Sequence, residues 1–227
     1  MLSVVIPVLN AGGVIGAAVE AWLASGVADE VVVADGGSSD GTFEAAELAG
    51  ARTLSAPKGR GRQLAMGASA ASGEWLLFMH ADTRLGPGWQ TVTRRFISEP
   101  KNIYRTGYFR FALDDPSPAA RRLERAVEWR CRWLGLPYGD QGFLISAEYY
   151  ERLGGYPPVP LMEDVALVRR IANHRLEALP ADAVTSAVRY KRDGYVMRPL
   201  RNLICLALYY LGMPPSALAD FYEGRKS

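Results

Sequence analysis

The chain has 227 residues, of which 49% are hydrophobic, and a formal net charge of +2. This length fits one large α/β domain or a domain with a helical appendage, and the charge is too small to indicate a nucleic acid partner. Cys131 and Cys205 lie outside any metal-type spacing, so we expect reduced thiols in a cytosolic protein. Residues 1–7 lack the basic region of a signal peptide and predict a first strand instead.

Strand-like and helix-like segments alternate through the first half of the chain, which predicts βαβ units around a mostly parallel sheet. The predicted strands are 3–8, 30–34, 52–55 and 75–79. The predicted helices are 14–23, 41–48 and 61–71, and a further helix opens with Pro87 at its first position.

The second half has a less regular pattern. Residues 104–113 alternate as in an antiparallel or edge strand, and a strand at 186–190 is expected to be the last one. A further strand is predicted at 142–146, followed by a helix that stops at Gly154-Gly155. The other predicted helices are 119–134, with Leu123, Val127, Cys131 and Leu134 on its apolar face, then 163–173, and a terminal amphipathic helix at 195–211 that Pro214-Pro215 stops.

The apolar run 75–79 ends in His80-Ala81-Asp82. Strands of open α/β sheets deliver their C-terminal residues to the edge where ligands bind. His80 and Asp82 are two residues apart, so their side chains leave the same face of the chain. We predict a cation at this edge and, with the cation, a phosphate. The alternative for His80 is a hydrogen-bonded structural histidine.

The loop 35–42 follows the second strand and is rich in glycine. Gly36 and its neighbouring glycines allow close approach of the backbone to a ligand, and the carboxylates of Asp35 and Asp40 can accept hydrogen bonds from a base or a ribose. The alternative is a polar turn in which Asp40 or Ser39 caps the next helix.

Residues 11–16 are close to a dinucleotide-binding fingerprint, with Asp35 at the end of the second strand. Ala11 replaces the first glycine of that fingerprint, however. The loop also begins earlier, with Pro7 and Asn10, and is looser than the turn that a pyrophosphate needs. The sequence therefore favours a mononucleotide over a dinucleotide.

Basic and amide side chains follow the third strand at Arg60, Arg62 and Gln63, after Lys58. Arginines at a helix N-terminus can bind phosphate, although a solvated basic loop is the more common structure. Arg189 lies in a basic run that can close over a diphosphate or form an exposed strand end. The arginines of helix 119–134 predict a solvated face, and a membrane or prenyl-phosphate role is the less favoured alternative.

Two acidic segments lie in the second half. Glu163 and Asp164 open a predicted helix, where acids commonly stabilise the helix dipole, but they can also supply a general base. Asp140 and Gln141 lie between two glycines in a turn that can contact substrate or simply precede a strand.

Taken together, these segments resemble glycosyltransferase family 2. The matching stretches are SVVIPVLN at 3–10, VVVADGGSSDGT at 31–42, GEWLLFMHAD at 73–82 and LMEDV at 161–165. Four further segments are similar to the subfamily assigned to arsenosugar biosynthesis. They are GRGRQ at 59–63, HADTR at 80–84, GDQG at 139–142 and the region of Arg189-Tyr190.

The resemblance implies a GT-A fold, which is a Rossmann-like α/β fold with a mostly parallel sheet flanked by helices, here with a C-terminal helical extension. It implies one domain over 1–227, with a nucleotide-binding half at about 1–100, an acceptor-binding half at about 101–195 and C-terminal helices at about 196–227. It also implies a UDP- or GDP-type sugar donor and inversion at the anomeric carbon.

The resemblance also assigns residues. Pro7, Asn10, Asp35 and Asp40 are expected around the nucleotide. Asp82 matches the last acid of the family's metal-binding Asp-x-Asp motif, and Asp164 matches its catalytic base. His80 stands where the family usually has the first acid, which removes a negative charge and favours Mn²⁺ over Mg²⁺.

The expected reaction is a direct displacement in which Asp164 takes the proton of an acceptor hydroxyl and a divalent cation at Asp82 and His80 neutralises the leaving diphosphate. Arg60, Arg62 and Arg189 are expected to add donors to the diphosphate. Glu163, with Asp140 and Gln141, is expected to contact the acceptor. The acceptor class stays open between a small molecule, a glycan and a lipid-linked compound.

Three alternative functions remain on the sequence alone. They are a non-catalytic module that binds nucleotide sugars or glycans, a sugar nucleotidyltransferase, and a dinucleotide oxidoreductase. The intact Glu163-Asp164 pair disfavours the first, and the absence of basic residues from 10–13 disfavours the second. We expect a cytoplasmic protein, with peripheral contact at the inner face of the membrane as an open alternative and the oligomeric state undetermined.

Overall fold

The computed structural model describes residues 1–223, in which eight strands form a single sheet flanked by helices. The strands are β1 (Leu2–Val8), β2 (Glu30–Asp35), β3 (Arg52–Ser55), β4 (Trp75–Phe78), β5 (Thr83–Leu85), β6 (Thr106–Leu113), β7 (Phe143–Ser146) and β8 (Leu176–Thr185). The helices are α1 (Gly12–Leu23), α2 (Thr42–Leu48), α3 (Arg60–Ala70), α4 (Trp89–Ser98), α5 (Pro118–Leu134), α6 (Ala147–Arg152), α7 (Glu163–Val168), α8 (Val188–Asp193), α9 (Met197–Tyr210) and α10 (Pro215–Glu223). Short 3₁₀ turns occur at Pro100–Tyr104, Gly139–Gln141 and Asn173–Arg175.

The strand order is β3-β2-β1-β4-β7-β6-β8-β5. β3, β2, β1 and β4 run parallel to one another, whereas β7 is antiparallel to both β4 and β6. β6 and β8 are parallel, and β5 is antiparallel to β8 at the far edge. The predicted α/β fold is confirmed, and one continuous sheet joins the regular first half to the mixed second half.

Apolar strand residues alternate between two cores, one on each face of the sheet. In β1, Val4 and Ile6 pack with Ile15 of α1, while Val5, on the other face, packs with Leu64 of α3. Because successive strand side chains point to opposite faces, an unbroken apolar strand can bury both faces only beneath helices. This is why the valine run of β2 and the apolar run of β4 form interior strands of the sheet.

The order in which the chain connects the strands determines where the site lies. The chain adds β2 and β3 on one side of β1 and then returns to add β4 on its other side. Ligands of open α/β sheets bind at such a reversal, outside the carboxyl ends of the strands. The residues that follow β1 and β4 therefore meet at one crevice.

Of the two alternatives for residues 104–113, the antiparallel strand is confirmed by the pairing of β6 with β7, and the edge strand is wrong because β6 lies between β7 and β8. The last strand is β8, and the residues predicted as that strand, 186–190, instead lead into α8. The register of β6 and β8 shifts so that Leu179 pairs with Phe109 and Asp182 with Arg110. The two extra residues, including Pro180, form a bulge that interrupts the period-two pattern by which a strand is recognised.

Several helix boundaries also differ from the prediction. Pro87 precedes α4 by two residues, since Gly88 with φ 82° is its N-cap. α7 ends at Val168 instead of continuing to residue 173. Leu134, at the last turn of α5, is 49% exposed and does not belong to the buried face. Within residues 1–223, no helix is both long enough and apolar enough to cross a bilayer.

Candidate active site

A cleft of about 940 Å³ opens at the carboxyl ends of β1 and β4. The predicted site residues that line it are Pro7, Asn10, Arg60, Gln63, His80, Asp82, Asp140, Glu163, Asp164 and Arg189. The predicted site residues that do not line it are Asp35, Gly36, Asp40, Arg62 and Gln141. The structure thus brings together residues that are far apart in the sequence, from the end of β1 to α8.

Asp164 and His80 both lie beside Gly139. The amide of Gly139 donates a hydrogen bond of 2.9 Å to Asp164 Oδ2, and the amide of Val165 donates one of 2.8 Å to Oδ1. A methyl group on Gly139 would lie 3.4 Å from His80 Nε2 and 3.6 Å from Asp164 Oδ2. The two backbone bonds fix the direction of the carboxylate, so Asp164 and His80 face the same small space.

The start of α7 is held in an unusual backbone conformation. Met162 has φ 64°, in the left-handed region that non-glycine residues seldom adopt, at a cost of about 1–2 kcal/mol. It is the N-cap of α7, without a side-chain capping bond. Strain of this kind clusters at functional sites, where surrounding contacts hold it in place. Here it directs Glu163 and Asp164 into the cleft.

Glu163 is almost completely buried, with 2% of its surface exposed. Its Oε1 lies 3.6 Å from Arg60 Nε. Burial and, to a smaller extent, the charge of Asp164 raise the pKa of Glu163 to about 7, against the lowering effect of Arg60. This carboxyl therefore gains and loses its proton close to neutral pH.

Asp140 is a second carboxyl with a raised pKa. Its Oδ1 is buried and has no hydrogen-bond partner among the described residues. Burial raises the pKa of Asp140 to about 6, against the lowering effect of Arg130, and the charge of Asp164 adds to the increase. An unpartnered polar atom at the wall of a cleft and a pKa near neutrality are both features of sites that exchange protons or bind ligands.

His80 and Asp82 occupy the predicted place at the end of β4. Burial lowers the pKa of His80 well below its usual value, and the charges of Arg60 and Arg189 lower it further. The ring is therefore neutral, which leaves a nitrogen lone pair for a cation. Asp82 is exposed at the cleft surface.

The residues present fit a cation that takes part of its shell from a ligand. Between residues 1 and 223 there is no group of three or more His, Cys, Asp or Glu side chains that could hold a metal. Mg²⁺ and similar ions commonly bind through one or two protein groups together with substrate phosphates. His80 and Asp82 match that arrangement, so the metal assignment stays a prediction that depends on a bound diphosphate.

Asp35 organises the loop that follows β2. Its Oδ2 accepts hydrogen bonds of 2.9 Å from the amides of Gly37 and Ser38, and its Oδ1 accepts one from the Ser38 hydroxyl. The side chain is 4% exposed and does not reach the cleft wall. Its visible contribution is the shape of the loop, and the predicted contact with a base is untested.

Asp40 fastens the same loop to α1. It accepts hydrogen bonds from Thr42 and from the amide of Gly12 at 2.9 Å, which lower its pKa in that order of importance. The N-cap of α2 is Gly41, without a side-chain capping bond, so the alternative in which Asp40 or Ser39 caps that helix is wrong. A Cβ on Gly12 would lie 2.6 Å from the Asp40 carbonyl oxygen. The first amide of α1 is thus occupied by the protein itself, which disfavours the dinucleotide interpretation.

The side-chain amides of Gln63 and Gln141 donate hydrogen bonds to backbone carbonyls, so they are not free to bind a ligand in the cleft. Gln63 Nε2 donates to the carbonyls of Val8 at 2.6 Å and Ala34 at 2.9 Å. Gln141 is 1% exposed, its Nε2 donates to the Phe109 carbonyl, and its Oε1 accepts from Arg130. The structure gives both residues a positioning role beneath the strand ends, and it does not support the expected acceptor contact of Gln141.

Arg130 corrects the prediction of a solvated arginine face on α5. Its Nε donates to the Leu136 carbonyl at 2.9 Å, and its guanidinium lies 3.5 Å from the centre of the Tyr138 ring. Tyr138 lines the cleft. Arg130 therefore supports the 138–141 turn from below.

Sequence reasoning also missed three positions. Arg198 and Asn202 line the cleft from α9, which the sequence predicted only as an amphipathic helix. A Cβ on Gly61 would lie 2.3 Å from the Pro157 carbonyl oxygen, so only glycine allows α3 to approach the segment that leads to α7. The available signals were the position of Gly61 beside Arg60 and the polar stripe of the terminal helix.

The sequence and the structure were compared with known proteins. A family model described as Glycosyl transferase family 2 matches residues 3–145. Comparison with curated proteins found no match.

Two of the similar solved structures are of glucosyl-3-phosphoglycerate synthase from Mycobacterium tuberculosis. The complex with Mg²⁺ and UDP has a TM-score of 0.60 and 21% sequence identity, over 82% of this chain and 70% of that chain. The complex with Mn²⁺, UDP-glucose and phosphoglyceric acid has a TM-score of 0.61 and 20% identity, over 94% of this chain and 80% of that chain. At this level of identity the likeness establishes a shared fold.

Proposed function

The chain belongs to glycosyl transferase family 2 and is a glycosyltransferase, and from this premise we propose that it moves a sugar from a nucleotide-diphosphate donor to an acceptor hydroxyl with inversion, using Asp164 as the base. Its fold is the GT-A fold of the similar structures, as the resemblance in its sequence implied. The proposal extends the family assignment to the mechanism and the residues.

The observation that carries the proposal is that Asp164 and His80 converge on the space beside Gly139, since a methyl group there would lie 3.6 Å from Asp164 Oδ2 and 3.4 Å from His80 Nε2. A displacement needs a base on one side of the anomeric carbon and a group that stabilises the leaving diphosphate on the other side. Asp164 is oriented by two backbone amides, and His80 and Asp82 lie on the β4 side of the same cleft.

In the proposed step the acceptor oxygen forms a bond to the anomeric carbon while the bond from that carbon to the diphosphate oxygen breaks. Asp164 accepts the proton of the acceptor hydroxyl, and the bonding electron pair leaves with the nucleoside diphosphate. Arg60 and Arg189, which line the cleft, donate hydrogen bonds to the departing oxygens. Glu163 and Asp140 orient the acceptor.

We also propose a divalent cation, Mn²⁺ in preference to Mg²⁺, held by Asp82 and His80 together with the donor diphosphate. The neutral imidazole of His80 supports this choice, because nitrogen ligands suit Mn²⁺ better than Mg²⁺. A bound cation supplies charge neutralisation at the leaving diphosphate. Similar structures of the mycobacterial synthase contain Mn²⁺ with UDP or UDP-glucose, which supports a UDP-type donor here.

The finer assignment to the subfamily of arsenosugar biosynthesis is a further proposal. Its support is spatial, since all four segments that carry the resemblance contribute to one cleft. They contribute Gly59 and Arg60, His80 and Asp82, Asp140, and Arg189 and Tyr190 respectively.

The test is a thermal-shift screen of UDP-, GDP- and dTDP-sugars with and without Mn²⁺, because binding to the native state appears as added stability. A sugar nucleotide should raise the melting temperature more in the presence of Mn²⁺. The same donors are then assayed for transfer to small polyols, glycans and lipid-linked acceptors. A shift with nucleoside triphosphates or NAD(P) but not with sugar nucleotides would overturn the proposal, and binding without transfer or hydrolysis would indicate a binding module.

A further inference from the structure

The outward face of α9 is apolar. From residue 196 to residue 211, every side chain that the structure leaves exposed is hydrophobic. These residues are Val196, Met197, Leu200, Leu203, Ile204, Ala207, Tyr210 and Leu211. They recur at spacings of three and four, so they lie along one side of the helix. An apolar stripe of this length on a surface helix marks a site of interaction.

The polar face of α9 is turned inward. Arg198 and Asn202 line the cleft, and Arg198 Nη1 lies 3.0 Å from Asp193 Oδ2. Cys205 and Leu206 are buried against the rest of the protein. A surface helix of a monomeric protein normally has the opposite orientation, with its apolar face toward the core. The polar face of α9 therefore contributes to the cleft, and its outward apolar face needs an apolar environment.

The exposed charge beside this helix is mostly positive. Among the exposed residues of 188–211 and of α5, six are basic and one, Glu128, is acidic. The basic ones are Arg122, Arg125, Arg132, Arg189, Lys191 and Arg192. The whole chain has a net charge of only +2, so the rest of the protein is net negative. Such a concentration of basic residues beside an apolar stripe is typical of surfaces that bind anionic lipid.

α5 and α9 begin close together, and the 169–173 segment lies against the far end of each. Tyr195, before α9, donates a hydrogen bond to Asp115, before α5. At the other ends, Arg169 lies over the ring of Tyr210 at 4.7 Å, and Gly135 closely approaches Asn173. The two helices therefore flank the same part of the molecule.

α5 also exposes aromatic side chains. Trp129 and Trp133 are 58% and 65% exposed, one helical turn apart. Their neighbours Arg125 and Arg132 are exposed as well. Tryptophan and arginine together are enriched where a protein meets the interface of a bilayer.

We propose that the outward face of α9, assisted by the basic and tryptophan-bearing face of α5, binds the surface of an anionic membrane and holds the cleft beside it. Charge selects this occupant over a second copy of the chain. A symmetric pair joined through α9 would bring two positively charged segments together, whereas an anionic lipid surface complements them.

Vesicle sedimentation of the complete protein tests the proposal. The wild type should bind vesicles that contain phosphatidylglycerol, bind much less to pure phosphatidylcholine, and lose binding as salt is raised. The double substitution Leu200→Gln/Leu203→Gln should lower the partition coefficient on the order of tenfold for each leucine, because burial of leucine in an apolar environment is worth at least that factor.

Leu48→Gln is the matched control, since Leu48 is 89% exposed on α2, outside the two helices. It should leave vesicle binding unchanged. Equal binding by wild type and the α9 variant would overturn the proposal, as would equal binding to neutral and anionic vesicles. A lipid-free dimer that the α9 substitutions convert to monomer would also overturn it and assign the face to a second copy. No donor is present in these measurements, so the outcome is independent of the proposed transfer reaction.

Discussion

Two groups of carboxylates near the cleft are held in different ways. Asp35 and Asp40 lie behind the cleft wall, on what we call the nucleotide side because we propose that this loop holds the nucleotide, and they accept several hydrogen bonds from the loops around them. On the opposite side, Asp140 has an unpartnered oxygen, and burial raises the pKa of both Asp140 and Glu163 toward neutrality. The first arrangement satisfies its charges within the protein, and the second leaves them to be satisfied by whatever enters the cleft.

The two groups of carboxylates therefore suit different tasks. A fully hydrogen-bonded loop is rigid and is formed before a ligand arrives, which suits recognition of a constant group such as a nucleotide. Carboxyls held near their titration point change charge in response to a ligand, which suits proton transfer and acceptor binding. Substitutions on the second side should therefore affect turnover more than donor affinity.

The largest expected effect is that of Asp164→Asn. The amide keeps the shape of the carboxylate and can no longer take the acceptor proton. Transfer should fall about 10²- to 10⁴-fold, the contribution of a positioned base, while donor binding stays nearly the same. Initial rates and donor affinity by calorimetry measure the two quantities.

Asp182→Asn is the control, because Asp182 forms an exposed ion pair with Arg110 at 2.9 Å outside the cleft. It should keep full activity. Full turnover by Asp164→Asn would remove the base assignment, and a parallel loss of donor binding would erase the distinction between the two sides.

Asp82→Ala tests the β4 end of the cleft. It removes the exposed carboxylate and leaves His80 in place. Added Mn²⁺ should no longer stimulate transfer, with a loss at least as large as the ~10- to 100-fold that follows removal of an outer partner of a metal ligand. Rates are measured over a Mn²⁺ titration. A wild type that works equally well in excess chelator would contradict the metal role altogether.

Much of the site could be predicted because it follows strand ends. Asp82 directly succeeds a buried apolar strand, and such residues reach the sheet edge whatever the details of packing. The sequence did not reveal that the side chains of Gln63 and Gln141 donate to backbone carbonyls of distant strands, and their assignment to ligands stays a prediction. A local pattern does not identify such partners.

The second half of the fold was harder for a related reason. β8 contains a bulge at Pro180, and this removes the alternation that would have identified the strand. The outward orientation of the apolar face of α9 was also hidden, since an amphipathic sequence determines which residues share a face but not which face meets the core.

Glu163→Gln tests the raised pKa on the acidic side through stability. The folded state holds a proton on Glu163 up to about pH 7, whereas the unfolded chain releases it near its ordinary value of 4.5. The folded state thus binds more protons between these values, and the stability of the wild type falls as pH rises through that window. The neutral variant avoids this loss, on the order of 3 kcal/mol at pH 8.

Denaturant unfolding at pH 5 and pH 8 measures this effect. The variant should gain stability relative to wild type between the two values. An identical pH dependence in both proteins would mean that Glu163 titrates normally and that the acidic side resembles the nucleotide side.

The smallest expected effect is that of Gly61→Ala, at the contact between α3 and the segment that leads to α7. Gly61→Ala places a methyl group 2.3 Å from the Pro157 carbonyl oxygen, so the segment before α7 must move. Overpacking of this kind costs about 1–3 kcal/mol. Because that segment carries Glu163 and Asp164, transfer should also fall while Asp35 and Asp40 keep their hydrogen bonds.

Gly13→Ala makes the same chemical change in α1, where nothing lies within 4 Å of the added methyl group. It should be neutral or stabilising by up to about 1 kcal/mol, since alanine favours a helix. Thermal unfolding, transfer rate and donor affinity are measured for both variants. If Gly61→Ala lowers donor affinity and transfer equally, the two sides move as one body. If it lowers transfer alone, the acidic side is positioned independently, and α3 is the element that aligns it with the nucleotide.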